Sequence, residues 1–201
     1  MLISFVGFKG GVGKSTSSMH LAGYLSDHGG TLLIDGDQNR TALNWAKRGP
    51  GMPFSLVDET QIPDLNSFVH VVVDTPARPA PDDLEDLAKS DLCICPATPS
   101  APDLEALLGT IDTLSSLGAR YKVLLTLIQA STTEGEEAQS MLVEKGIPVF
   151  QRLIRGLAVH RRAADQGCLV RDAKDNRGRR DPMAGRAWAE YRAIGEEVLH
   201  G

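Results

Sequence analysis

Five short apolar runs punctuate the chain with almost no polar alternation: Leu2–Val6, Thr31–Ile34, Val69–Val73, Leu92–Pro96 and Tyr121–Ile128. Strands buried on both faces read this way, whereas a strand with one wet face alternates. Between the runs, apolar residues recur at helical spacing. Met19, Leu21, Ala22 and Leu25 make the first such stretch, ended by His28-Gly29-Gly30. Leu43, Trp45 and Ala46 follow a start near Thr41; Leu84, Leu87 and Ala88 begin a short helix; Leu104, Leu107, Leu108, Ile111 and Leu114 make a long one. A helix over Glu134–Lys145 stops at Gly146, a short one ends at Gly167, and Ala184–Leu199 closes the chain with Trp188, Tyr191, Ile194 and Val198 on one face. Minor strands are expected at Phe54–Val57 and after Pro148-Val149-Phe150. Alternating strand and helix predicts a doubly wound α/β fold, a mainly parallel sheet with helices on both faces, in one domain over 1–201. Residues 49–67, with Pro50, Pro53 and Pro63, read as loop-rich connection and suggest no chemistry. Arg78–Pro81 reads as a stiff surface loop and Arg177–Asp181 as a flexible basic one.

Chemistry gathers where strands end. Between the first strand and the first helix stand Lys9, Gly10, Gly11, Val12, Gly13, Lys14, Ser15 and Thr16. Strand, glycine-rich loop and helix in that order make an anion cradle, because loop and first-turn N–H groups converge on one spot and the helix dipole adds positive charge there. In such a loop Lys14 reaches β- and γ-phosphates and the Ser15 hydroxyl is the expected Mg²⁺ ligand. The second strand ends in Asp35-Gly36-Asp37, and the third in Asp74. Acids at the carboxyl ends of parallel strands, beside a phosphate loop, lie where an open α/β sheet builds its site. Asp74, some sixty residues beyond the loop, fits the acid that holds a Mg²⁺-bound water.

The general phosphate-loop pattern has a glycine where this chain has Phe8, and the chain adds Lys9 at the loop entrance. Lys-Gly-Gly-x-Gly-Lys-[Ser/Thr] resembles the deviant Walker A loop of the ParA/MinD group of ATPases. Asp35–Asn39 resembles that family's Asp-x-Asp-Pro-Gln, with Gln38-Asn39 in place of Pro-Gln; Thr75-Pro76 after Asp74 resembles its switch segment, and 96–104 its Pro-x-Thr-Pro-Ser-x-x-Asp-Leu run, as far as Asp103-Leu104. The resemblance implies a Mg²⁺-dependent ATPase that binds ATP through residues 9–16. Within it Asp37 positions or activates the attacking water, Ser15, Asp37 and Asp74 serve the metal, and Asp35 supports the metal shell. The equivalent of Lys9 reaches the nucleotide of a second subunit, so an ATP-dependent homodimer is implied. The chain begins at its first strand, which matches the small ParA type without an added DNA-binding domain. Members of that type bind duplex DNA non-specifically and hydrolyse ATP when a partner on the cargo, a centromere-binding protein or cargo adaptor, stimulates them. A cytoplasmic, nucleoid-associated protein is expected. Two relatives of the same superfamily offer alternatives: an ATP-dependent small-molecule synthetase or ligase, and a metal-cluster ATPase with a cysteine pair at its dimer seam.

Charge sharpens this picture. The net charge is −5, yet residues 152–192 carry eleven Lys/Arg against five Asp/Glu, while the rest carries ten against twenty-one. A basic segment in an acidic protein can steer one face towards a polyanion. Candidate phosphate contacts are Arg152, Arg155, Arg161, Arg162, Arg177, Arg179 and Arg180, with few aromatics for stacking on single strands. The three cysteines, Cys93, Cys95 and Cys168, have no metal-ligand or redox-motif spacing and read as buried thiols. No apolar run reaches bilayer length, and Glu190, Glu196 and Glu197 in the closing helix argue against a membrane-surface role.

Overall fold

A computed structural model describes residues 1–77 and 79–201. One sheet of six strands organises them: β1 (Leu2–Phe5), β2 (Thr31–Asp35), β3 (Ser55–Asp58), β4 (His70–Asp74), β5 (Leu92–Ala97) and β6 (Tyr121–Leu125). Every pairing is parallel, in the spatial order β3-β2-β4-β1-β5-β6. The chain winds outward from β1 through β2 to β3, returns to β4, then crosses to β5 and β6. The loops after β1 and β4 therefore part in opposite directions at neighbouring strands, which opens a crevice at their carboxyl ends.

The apolar runs behave as strands covered on both faces. Ile3, Phe5, Leu33, Val72, Ile94 and Leu124 point to one side, into a core shared with α1 (Lys14–Leu25), α2 (Thr41–Ala46), α6 (Ala158–Gln166) and α7 (Ala184–His200). Cys93, Cys95, Ala97, Val123 and Leu125 point to the other, against α3 (Pro81–Leu87), α4 (Ala101–Ser116) and α5 (Glu134–Glu144). α1 is buried almost all round, because α7 packs along it. Gly195 makes that approach possible: a Cβ there would sit 2.0 Å from the ring of Tyr24. Cys93 and Cys95 are fully buried, and burial pushes the Cys93 thiol up to about 11 and Cys95 higher still. They are packing residues, not exposed ligands.

The expected elements differ from the observed ones in three places. β6 stops at Leu125 and not at Ile128, because Leu127 turns into the left-handed region with φ 55°. The strand expected after Pro148 is reduced to isolated bridges, Val123 with Val149 and Ile128 with Arg155. Arg177–Asp181, expected to be flexible, is a tied turn: Asp175 Oδ1 accepts from the N–H groups of Arg177 and Arg179, each at 2.9 Å, and Lys174 bridges Arg180. The loop expected at Arg78–Pro81 begins on Arg78, which lies outside the described residues. Among the described residues no helix is long and apolar enough to cross a membrane.

Candidate functional site

The register of the sheet assembles the site. Phe5 and Asp35 are both level with Asp74, so the loops that follow β1, β2 and β4 leave the sheet at one edge. They enclose a cleft of about 680 Å³, lined by the glycine-rich loop together with Asp37, Asn39, Pro76 and Ala77. Gly11 and Gly13 sit at φ 82° and 84°, a conformation that bends the backbone round the cleft and disfavours a side chain. α1 starts at Lys14 with no side chain capping it, so its first-turn N–H groups, which no helix satisfies internally, have no capping side-chain acceptor either. Thr126, just beyond β6, braces the loop from below: its buried hydroxyl donates to Val12 O at 2.7 Å.

Charge is concentrated on the floor. Lys14 is 7 % exposed, and its Nζ donates to Lys9 O at 2.9 Å. Burial pulls its pKa down, while Asp74 and Asp37 push back. Asp74 is fully buried, and burial raises its carboxyl to about 7, opposed by the Ser15 hydroxyl and Lys14. Ser15 is close enough to favour the charged form, yet neither Asp74 oxygen has a hydrogen bond of acceptable geometry. A buried carboxylate with both oxygens unpartnered is costly unless something cationic completes it. Beside a serine hydroxyl and a phosphate cradle, this donor set fits a hard, oxygen-seeking divalent cation such as Mg²⁺, which takes one or two protein oxygens and completes its shell from phosphate and water. No group of three or more His, Cys, Asp or Glu that could hold a metal by themselves occurs among the described residues.

The two β2 acids are used differently. Asp35 is fully buried and spends its oxygens on backbone, Oδ1 accepting from Asp37 N at 3.2 Å and Oδ2 from Leu43 N at 2.9 Å. It thereby fixes the turn and the start of α2. Asp37 lines the cleft, half-buried, and its Oδ1 accepts from Asn39 N at 2.9 Å and Asn39 Nδ2 at 3.1 Å. Lys9 is 45 % exposed and forms an ion pair with Asp103 of α4. That carboxylate also accepts from Thr98 Oγ1 at 2.5 Å.

The seven arginines read as phosphate contacts do not gather in one stripe. Arg162, Arg177 and Arg179 line one groove, and Arg152 and Arg155 line another with Arg186. Three are committed to the protein's own acids: Arg162 to Asp181, Arg179 to Asp175 at 3.2 Å, and Arg155 to the buried Glu190. Arg155 donates its backbone N–H to Glu190 Oε2 at 3.0 Å and holds Nε 3.0 Å from Oε1, though out of line for a hydrogen bond. Arg152, Arg161, Arg177 and Arg180 are exposed, with no ion pair among the described residues. The sequence reading missed Thr126, Asn39 and Arg40. A hydroxyl at the tip of a core strand was the available signal for Thr126, and Asp-x-Asn, an Asx-turn spacing, for Asn39.

Residues 3–169 match the model of the CobQ/CobB/MinD/ParA nucleotide binding domain. Over 209 aligned residues the chain is 34 % identical to the maintenance of carboxysome distribution protein A of Gloeobacter kilaueensis, covering 98 % of this chain and 93 % of the relative. Among solved structures it superposes on the MinD cell division protein of Aquifex aeolicus with a TM-score of 0.76 at 15 % identity, covering 100 % of this chain and 97 % of that one. An ATP complex of an aspartate-to-alanine variant of Cyanothece McdA gives 0.75 at 16 %, covering 98 % and 95 %. At such identities the two structures support the fold alone.

Proposed function

The chain belongs to the CobQ/CobB/MinD/ParA nucleotide-binding family, and from that premise we propose that it is a positioning ATPase that distributes a bulky cargo, a carboxysome-like body being the best-supported kind. The observation that carries this reading is the convergence of Lys14, Ser15 and the unpartnered Asp74 under a glycine cradle at the carboxyl edge of the sheet.

In this reading ATP lies in the cleft with its β- and γ-phosphates against residues 10–16. Lys14 neutralises the phosphate oxygens, and its burial strengthens that attraction. Ser15 and Asp74, with Asp37 close by, would hold Mg²⁺, which when bound offsets charge on the phosphates. Asp37 orients a water in line with the γ-phosphorus. The water oxygen bonds to phosphorus as the bond to the β,γ-bridging oxygen breaks, giving ADP and inorganic phosphate, which takes up the water's proton. Lys9, at the mouth of the loop, reaches the nucleotide of a second subunit and so makes the homodimer depend on ATP. To do so it exchanges Asp103 for phosphate. Pairing two basic segments builds a surface for duplex DNA, through Arg152, Arg161, Arg177 and Arg180, that reads backbone and not sequence. Nucleoid association and stimulation by a cargo-bound partner follow from that cycle.

Measuring ATP turnover and molecular mass, with and without duplex DNA and a carboxysome-associated partner protein, tests the proposal. Slow turnover that rises with the partner, and an ATP-dependent dimer that binds DNA, are expected. An ATP-saturated protein that stays monomeric and ignores DNA would contradict it.

A further inference from the structure

The loop that carries Asp37 contains a residue in an unfavourable conformation. Arg40, which precedes α2, has φ 50° and ψ 46°. Only one other non-glycine among the described residues, Leu127, has positive φ, and it lines the cleft that Asp37 also lines. A side chain in this region costs of order 1–3 kcal/mol and persists only where the surroundings over-determine it. Here they do. The Arg40 guanidinium donates through one nitrogen to Asp35 O at 2.8 Å and through the other to Glu59 Oε1 at 3.2 Å. Its backbone N–H donates to Asp37 O at 2.8 Å, and its carbonyl accepts from Asn44 N at 2.8 Å.

These contacts close a ring round residues 35–40, and Asp37 is the one acid of that ring that lines the cleft. Gly36-Asp37-Gln38 has no residue that stiffens the backbone by itself. Asn39 finishes the arrangement by giving both its N–H and its side-chain amide to Asp37 Oδ1. Two donors on one oxygen fix the plane of the carboxylate. Among the described residues no donor reaches Oδ2, which stays available to a water.

We propose that Asn39 and Arg40 are positioning residues for hydrolysis: Arg40 holds the Asp37 loop in its strained turn through Asp35 and Glu59, and Asn39 turns the Asp37 carboxylate so that only Oδ2 meets the attacking water. The inference rests on the reading that Asp37 orients that water. Arg40 does not line the cleft and the Asn39 amide is spent on Asp37, so the hydrolytic step depends on both far more than nucleotide affinity does.

Arg40→Gly separates strain from position. Glycine accepts φ 50° freely, so the variant keeps its thermal stability to within a few degrees while losing the guanidinium anchor. Single-turnover hydrolysis of bound ATP should fall ~10–100-fold, the effect of a misplaced catalytic group, with ATP affinity unchanged. Asn39 is exposed, so Asn39→Ala folds regardless; it should slow the same step ~10-fold, with a smaller change in ATP affinity, and Asn39→Ser should recover part of the rate through its hydroxyl. Wild-type hydrolysis in Asn39→Ala, or in a folded Arg40→Gly, overturns the proposal when Asp37→Ala is inactive beside them. So does a loss of ATP affinity and stability that parallels the loss of rate, since Arg40 would then merely hold the fold. Full hydrolysis in Asp37→Ala is a different failure, that of the underlying reading.

Discussion

The cleft at the carboxyl edge of the sheet and the basic segment 152–192 use charge in opposite ways. In the cleft, charged groups are buried and under-satisfied: Lys14 leans on a backbone carbonyl, and Asp74 has two oxygens without a hydrogen bond. In the basic segment, Arg155, Arg162 and Arg179 are ion-paired with Glu190, Asp181 and Asp175. Glu190 Oε1 and Asp181 Oδ2, though without a well-aligned hydrogen bond, thus each have a cation beside them. Four of the seven candidate arginines stay exposed and unpaired among the described residues. An unmet demand inside a fold signals a ligand more reliably than a surplus of one sign along a stretch of sequence. A buried group has no water to fall back on, whereas a surface arginine has both water and neighbouring acids.

The largest effect should come from the cleft. Lys14→Gln removes the one buried cation of the cradle, and ATP affinity measured by calorimetry should drop at least ~100-fold, about 3 kcal/mol by the affinity arithmetic. Retained affinity would break the contrast at its strongest point. Arg155→Met tests the other side. It leaves Glu190, 2 % exposed, without its closest cation, but burial already raises that carboxyl to about 7, so it can take up a proton. Chemical denaturation should show a loss of about 1–2 kcal/mol that is larger at pH 8 than at pH 5. Because that arginine is assigned to the fold, the salt dependence of DNA binding should not change with it.

Asp74 gives a pH test with a definite sign. Its folded pKa, about 7, lies above the ordinary 3.8, so the folded nucleotide-free protein binds a proton that the unfolded chain releases between those values. Stability therefore falls as pH rises from about 4 to 7, and the penalty is complete above 7. Asp74→Asn removes it. The variant should lack this pH dependence, so its stability relative to the parent should be clearly greater at pH 8 than at pH 4, while its Mg²⁺-dependent ATP affinity falls. Equal thermal midpoints at both pH values would mean that Asp74 is already satisfied.

How far sequence carried the account follows from the same contrast. The apolar runs predicted β1, β2, β4 and β5 to within a residue or two, since strands buried on both faces admit few polar residues. β6 was overlong because Leu127 is apolar, and nothing in its identity announces a left-handed turn. Residues 9–16 were legible since glycines and lysines in fixed register serve a local geometry. Asp103 could not be paired with Lys9 in advance, because ninety-four positions separate them and only the packing of α4 brings them together. Which of the seven arginines are already paired could not be read in advance, because Glu190 and Asp181, although they lie in the same stretch, meet Arg155 and Arg162 only through the packing of α7 and the segment before it.

A smaller effect sharpens the surface half of the comparison. Replacing Arg152, Arg161, Arg177 and Arg180 with glutamine should leave stability and ATP affinity unchanged and flatten the salt dependence of DNA binding, by about 0.9 in the log–log slope for each phosphate that is no longer neutralised. An unchanged slope would take these four out of the interface.

If Asp37 and the glycine cradle form one hydrolytic site whose ATP-bound state is the paired state, Asp37→Ala with Mg²⁺-ATP should show it by light scattering and by assay of the bound nucleotide. Intact ATP at one per subunit in a stable dimer is expected. ADP released at the wild-type rate, or a monomer saturated with ATP, would contradict it.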